Sequence, residues 1–481
     1  MGNKVFAQPL APLTRLAGPV VKPVLRPIFR AVLKSPQSRV LFKTYLKYFN
    51  ARVVSLSLRA FIFAYIYIVL PKIISTIFRL SRSKKYHEII PRIWKLIRAA
   101  FRGEKFPALA GQLLLRINIM EPIFFYFLKR SGLLSTRANL AVSTFLASFI
   151  ASLTTFPRFQ KHVVSYGRHN SLDLTLLIAT RAVDTTLSSA LLGLGGGSYA
   201  SLGDGALFIA SSTLIMYSWF FHPERLPPAY RNWITQAANM DDDIVSLLKQ
   251  IKEKKVKYGE PGPGDEMMER YCARYGRDPR EGSLVTNVPL SCEAVHAFKT
   301  KNCELHALWR FVRGFQFAFK LYGGINLFML MFPRRNTTFV SRLLRSLKSS
   351  IRSSCFLGSF IFLNWYGVCL ARTRLLPKLF PNVPPERWDD TICVASGCFL
   401  SGFSCFVDTP QRRKELALFV APRGVGTLVS AEPTPRNLRI ESVVFAISMA
   451  ILVAYSRRDA RKVRGIFGKG LDQVFSISSY V

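Results

Sequence analysis

Residues 59–65 read R-A-F-I-F-A-Y and residues 313–319 read R-G-F-Q-F-A-F, nearly the same heptapeptide 254 positions apart. Further matches follow in the same order. Thr144, Ser148, Ser152, Pro157 and Lys161 correspond to Gly397, Ser401, Cys405, Pro410 and Lys414 at a constant offset of 253. D-L-T-L-L-I-A-T-R-A-V-D-T at 173–185 meets E-L-A-L-F-V-A-P-R-G-V-G-T at 415–427, and F-I-A-S-S-T-L-I-M-Y-S at 208–218 meets A-I-S-M-A-I-L-V-A-Y-S at 446–456. Matches in register along most of the chain read as an internal duplication, a common way to build a membrane protein around a central interface.

The 481 residues are 49% hydrophobic, which soluble domains also reach, so composition alone does not set the class. Distribution does. Apolar stretches of about 18 to 25 residues recur throughout, the length that crosses ~30 Å of hydrocarbon. Ten such segments are expected as helices: 51–79, 106–129, 138–156, 171–193 and 202–221, then 304–332, 350–371, 391–408, 414–430 and 439–456. The expected fold is therefore an all-α polytopic membrane protein of two duplicated halves, with four to five membrane helices each. The organisation runs as a basic amphipathic arm (1–50), a first membrane repeat (51–221), a hydrophilic linker (222–303), a second membrane repeat (304–456) and a basic tail (457–481).

Net charge is +39, from 67 Lys and Arg against 28 Asp and Glu. Such an excess suits either nucleic acid or an anionic membrane surface. The chain carries no zinc-finger or RNP signature, and its basic residues flank apolar segments. That pattern predicts anionic lipid headgroups as partners and no nucleic acid. No acid precedes Glu88. The Arg-rich, acid-poor start matches a mitochondrial targeting sequence or a basic cytoplasmic arm, and no secretory h-region interrupts it. The basic ends (Arg457, Arg458, Arg461, Lys462 and Arg464 at the C-terminal side) predict that both termini share one positive-inside face. Eight or ten spans satisfy that equally, so inverted and parallel repeats both stay open.

Three ionisable positions recur in both halves: Arg59 with Arg313, Asp173 with Glu415, and Arg181 with Arg423. An ion at membrane depth faces the bundle interior or water and needs a partner. Asp173 and Arg181 are eight residues apart, about 12 Å along one helix face, so they cannot pair with each other. They read either as a polar path between the halves or as ion pairs that lock packing. Thr144, Ser148, Ser152 and their equivalents Gly397, Ser401, Cys405 are spaced by four. Each trio lies on one helix face, where small side chains let backbones approach closely. Asp241, Asp242 and Asp243 are read as the N-terminal cap of a helix starting near Ile244. G-L-G-G-G at 193–197 reads as a hinge, and Y-G-E-P-G-P-G-D at 258–265 as a loop.

Cys292, His296, Cys303 and His306 form C-x3-H-x6-C-x2-H, a set able to hold tetrahedral zinc. A disulfide between Cys292 and Cys303, or free thiols, are the other readings, and no other cofactor is implied. Cys355, Cys369, Cys393, Cys398 and Cys405 lie in apolar helices and read as small core residues. No P-loop, nucleophile elbow or dinucleotide fingerprint is present, so no catalysis is expected.

The segment C-E-A-V-H-A-F-K-T-K-N-C at 292–303, followed by an F-K-L-Y-containing helix, resembles the cysteine-rich stretch of the transmembrane protein 135 family. R-R-K-E-L-A-L-F-V-A-P-R at 412–423 is similar to that family's late signature. The family is in turn distantly similar to the Tim translocase channel subunits and to a small peroxisomal membrane protein. The resemblance implies a multi-pass protein of peroxisomal and mitochondrial membranes. It implies a role in organelle organisation and lipid handling, with organelle-division or lipid-handling proteins as partners, and supplies no catalytic residues. A transporter or translocation conduit is the alternative that the repeated charges suggest.

Overall fold

A computed structural model describes residues 49, 53–101, 105–132, 134–165, 170–193, 197–330, 338–459, 462–464, 468 and 470. The basic arm apart from Phe49, positions 194–196 of the glycine junction, and most of the basic tail lie outside the described residues. Among the described residues there is no strand, and the fold is all-α. Among the described residues, six helical segments are long and apolar enough to span a bilayer: Ser55–Arg82, Phe106–Ser131, Thr136–Val164, Phe339–Leu379, Pro385–Val407 and Pro435–Arg458. The protein is a multi-pass membrane protein. The ten apolar segments of the sequence are thus helical, but four fall short of that standard. Asp173, Arg181 and Asp184 interrupt the first of these four, Asp204 the second, Arg313 and Lys320 the third, and Lys414, Glu415 and Arg423 the fourth. Each charge at a span's centre costs about 2.5–3.5 kcal/mol on insertion scales.

The chain divides into two compact units, residues 1–162 with 470–481, and residues 163–469. In the first, α1 (Ser55–Arg82) packs on α2 (Ile89–Ala100) and α3 (Phe106–Ser131), and α4 (Thr136–Ser165) completes the unit. At ~1.5 Å per residue, 28-residue α1 reaches ~42 Å, beyond a bilayer core without tilt. Its Ile62, Phe63, Ile66, Tyr67 and Leu70 are exposed. Such a surface would be an aggregation patch in water and is ordinary against lipid. Pro71, Pro122 and Pro157 sit inside α1, α3 and α4. α2, I-I-P-R-I-W-K-L-I-R-A-A, carries Arg92, Lys95 and Arg98 among Ile, Leu and Trp, the composition of an interfacial helix.

The second unit contains α5 (Asn170–Gly193), α6 (Gly197–Phe221), α7 (Pro228–Ala238), α8 (Asp242–Lys252), α9 (Pro263–Arg274), α10 (Cys303–Leu330), α11 (Phe339–Cys369), α12 (Cys393–Ser401), α13 (Pro410–Gly426) and α14 (Pro435–Arg458). A π-helical turn at Leu370–Arg374 continues α11, and another at Trp388–Ile392 leads into α12. The 222–303 stretch, hydrophilic in sequence, is not an open linker. Ile244, Leu247, Ile251, Met268, Tyr271, Leu284 and Leu290 bury one another in a separate small core. The buried Tyr271 hydroxyl donates to the Ala294 carbonyl at 2.9 Å. α9 begins at Pro263, within the stretch read as a loop; proline suits the first helical turn because its missing N–H has no partner there.

The acidic triplet opens the helix as read, with Asp242 and Asp243 in its first turn. Asp241 stands at the cap of α8 but its side chain makes no cap bond. It accepts from the Tyr275 hydroxyl at 2.6 Å instead, while Asp243 pairs with Arg274 at 2.8 Å. These carboxylates tie α8 to α9. The Asp241 hydrogen bond, with burial behind it, pushes Tyr275 up to about 12.

The small-residue positions lie at close helix contacts. Thr144, Ser148 and Ser152 are fully buried in α4, and Thr144 donates to Glu121 of α3 at 2.7 Å. A Cβ added to Gly397 would stand 2.6 Å from the Asn364 carbonyl of α11, and one at Gly367 would stand 2.9 Å from Gly397 Cα. Ser401 and Cys405 continue that buried line.

Candidate functional site

The repeated charges meet in a pattern that the sequence could not disclose. Arg181 interacts electrostatically with Glu415, and Asp173 with Arg423. Acid and base are thus exchanged between equivalent positions of the two halves. That crosswise pattern requires α5 and α13 to run in opposite directions past one another. Leu176 near the start of α5 accordingly faces Gly426 at the end of α13, where an added Cβ would lie 3.3 Å from its Cδ1. The neighbouring packing is exchanged in the same way. α5 of the first half packs on α14 of the second, and α13 of the second packs on α6 of the first. Thr175 of α5 donates to Glu441 of α14 at 3.1 Å. A self-complementary contact of this kind is what a two-fold relation produces.

Beside this crossing sits a buried ionic lock. The Arg464 guanidinium donates to both Asp184 of α5 and Asp204 of α6, reaching Asp184 through Nε at 3.0 Å and Asp204 through Nη2 at 3.0 Å. Asp184 and Asp204 are 8% and 7% exposed, so both carboxylates are largely withdrawn from solvent. Lys414 interacts with the same two carboxylates and with Glu415. Arg181, Lys414 and Arg464 thus face Asp184, Asp204 and Glu415, and the cluster is charge-balanced. Arg464, which the sequence placed with a basic surface tail, is therefore a half-buried bridge, drawn in by two buried carboxylates. The Arg181 Nη1 also donates to the Arg464 carbonyl at 3.3 Å.

Arg59 is half-buried in α1, and its equivalent Arg313 is exposed on α10. Arg313 lines a groove of about 230 Å³ together with Arg310, Lys320 and the α7 C-terminus at Ala237–Asn239. Arg310, absent from the sequence reading, is the buried member. It donates to the Ala238 and Asn239 carbonyls at 3.3 and 2.8 Å and lies 4.2 Å over the Trp365 ring. Helix C-termini attract cations in this way.

A second buried ion pair joins the small 222–303 core to the helical bundle. Arg372 donates to Asp389 through Nε at 2.5 Å and Nη2 at 2.9 Å, and the Tyr258 hydroxyl donates to the same carboxylate at 2.5 Å. Burial and the adjacent Asp389 charge hold the Tyr258 phenol well above its ordinary value.

The cysteine and histidine residues converge, but not as the four expected from spacing. His296, Cys303 and Cys369 are all buried, with their ligand atoms within 4.8 Å of one another. Cys369 Sγ lies 3.6 Å from His296 Nε2. Cys292 stands beside Cys303 and Cys369, with Thr373 at 3.9 Å from its sulfur. Burial, with Cys303 adjacent, pushes the Cys292 thiol up. His306 stacks flat on His296, with centroids 4.1 Å apart and an interplanar angle of 6°. Its Nε2 accepts from Arg310 Nε at 3.2 Å, so its remaining nitrogen carries the proton and His306 has no lone pair for a metal. Cys369, read from the sequence as a core residue, takes that place. Its signal was slight: it ends an apolar helix just before Thr373 and Arg374 instead of lying in the helix middle.

No known protein family, no characterised protein and no solved structure matches this chain. Fold and site together define a class, an all-α multi-pass membrane protein with an internally paired ionic core.

Proposed function

We propose that this protein acts without catalysis, organising a peroxisomal or mitochondrial membrane and supporting lipid handling there. The observation that carries this reading over a conduit is the fate of the repeated charges. Arg181 lies in the field of Glu415 and Asp173 in that of Arg423, acid facing base across the two halves, and Arg464 closes on two further acids. Opposite charges that face one another across a bundle favour a closed arrangement over an open polar path. The likeness of 292–303 and 412–423 to the transmembrane protein 135 family supports the organelle assignment. The net charge of +39 and the groove lined by Arg310, Arg313 and Lys320 support anionic headgroups as partners. Organelle-division or lipid-handling proteins are the partners this role would engage.

Fluorescence localisation and membrane fractionation of the full chain, paired with its deletion, test this reading. Co-purification with peroxisomes or mitochondria, and altered number or shape of those organelles on deletion, are the expected results. Residence in the plasma membrane or endoplasmic reticulum with both organelles unchanged would end the proposal. The conduit reading draws on the fully buried Ser148 and Ser152 hydroxyls, which have no hydrogen-bond partner among the described residues. It requires solute flux in liposomes that changes when Arg181 or Arg423 is neutralised.

A further inference from the structure

We propose that Cys292, His296, Cys303 and Cys369 form a closed tetrahedral zinc site that fastens the small 222–303 core to the membrane helices. The four residues come from three places in the second unit: the turn Cys292–Val295 with its His296 cap, the first residue of α10, and the last residue of α11.

The geometry fits the ion. Zinc–sulfur and zinc–nitrogen bonds of about 2.3 and 2.05 Å at a tetrahedral angle place S and N about 3.6 Å apart, and two sulfurs about 3.8 Å apart. The Cys369 Sγ to His296 Nε2 separation is 3.6 Å, and the three buried ligand atoms already lie within 4.8 Å. Movements of an ångström or less bring His296, Cys303 and Cys369 onto one ion, and Cys292, next to Cys303, supplies the fourth ligand.

The histidine is also set for this task. His296 Nδ1 lies 2.9 Å from the Thr300 carbonyl, which can only accept, so Nδ1 carries the proton and Nε2 presents its lone pair to the cysteines. Metal-bound imidazoles are oriented in this manner. The chain that returns the Thr300 carbonyl to the ring passes through Ala297 and Phe298 with φ of 52° and 56°. Non-glycine residues in that region are strained and persist where the surroundings demand them.

Charge and softness agree. Three thiolates and an imidazole select zinc over magnesium or calcium, and four protein ligands leave no open position for water, the mark of a structural site. Binding converts three thiols to thiolates and releases their protons to solvent. The resulting zinc–trithiolate centre carries one negative charge, and the Arg374 guanidinium, which interacts with Cys303 and Cys292, offsets it.

Elemental analysis of the full chain, purified in detergent without chelator, tests the site directly. The expectation is about one zinc per chain, and on exchange with cobalt a thiolate-to-metal charge-transfer band with tetrahedral d–d transitions. Cys303→Ser and Cys369→Ser should lose the metal at least tenfold, while Cys355→Ser, on the same helix α11, should retain it. Less than a tenth of an equivalent in the wild-type chain, with no cobalt band, would overturn the proposal even if the serine variants fail to fold. So would a disulfide among these cysteines, seen by mass spectrometry after alkylation under native conditions.

Discussion

Neutralising Asp389 isolates the cost of a buried charge left alone. Asp389 accepts from Arg372 Nε and Nη2 and from the Tyr258 hydroxyl, and the Arg372 and Asp389 side chains are 5% and 3% exposed. Asp389→Asn removes the counter-ion and turns an amide N–H₂ toward the guanidinium or the phenol. Arg372 cannot lose its proton, so it remains an unpaired cation in the interior. Breaking one side of such a pair costs about 3–5 kcal/mol. At about 2 °C per kcal/mol, the lower end for large domains, the melting temperature should fall by roughly 6–10 °C. Trp365 and Trp388 lie close by, so intrinsic fluorescence of the detergent-solubilised protein on heating reports the loss. Tyr258→Phe keeps the ion pair and removes one hydrogen bond to a charged acceptor, for about 1.5–3 kcal/mol. Replacing both ions by apolar residues, Arg372→Met with Asp389→Leu, should return stability to within about 1 kcal/mol of wild type. Asp389→Asn within about 1 kcal/mol of wild type, or a double variant worse than the single, would refute the argument.

The ionic lock predicts an asymmetry: Arg464→Ala strands two carboxylates and should cost about 3–5 kcal/mol, whereas Asp184→Asn leaves Arg464 its second acid and should cost less in the same melt. Double-mutant cycles should give coupling of about 0.5–3 kcal/mol for Arg181 with Glu415 and for Asp173 with Arg423. Coupling that appeared only between Asp173 and Arg181 would contradict the crossing of α5 and α13. Gly397→Ala sets a Cβ 2.6 Å from a backbone carbonyl and should destabilise by about 1–3 kcal/mol, read as early thermal unfolding. Burial raises the Cys272 thiol to about 11, against an unfolded value of about 8.5. Its contribution is therefore whole below pH ~8.5 and lost as pH rises toward 11. Denaturant titrations at pH 8 and pH 10 should show wild type losing more stability than Cys272→Ala; equal losses would exclude this cysteine as the source.

The all-α membrane class was legible because residues 60–71, 353–371 and 442–456 are uncharged, largely apolar runs that admit little else. The number of spanning segments was not. In α5, α10 and α13 charged residues sit on segments whose overall apolarity still resembles a span, and only tertiary contacts distinguish an inward charge from an interrupted helix. Repetition identified Asp173, Arg181, Glu415 and Arg423 as a set but could not pair them, since equivalence between halves says nothing of which way the helices pass. Three members of the cysteine–histidine cluster, Cys292, His296 and Cys303, lie close in sequence. Cys369 comes 66 residues after Cys303, a closure that only the fold makes, and His306 was excluded by a hydrogen bond from a buried arginine that spacing does not reveal. Arg464 was misassigned because a basic tail read one residue at a time is indistinguishable from a surface anchor.

The crossing of α5 and α13 has a consequence for how such a chain could arise. A single unit bearing one acid and one base eight residues apart, on a helix that runs antiparallel past its own copy, turns the acid of each copy toward the base of the other. Two separate copies would therefore meet with their charges already matched. Joining them in one polypeptide fixes their number at one to one and removes the need for the copies to stay alike. Only after that step can one half acquire residues such as Cys292, His296 and Cys303 that the other never had.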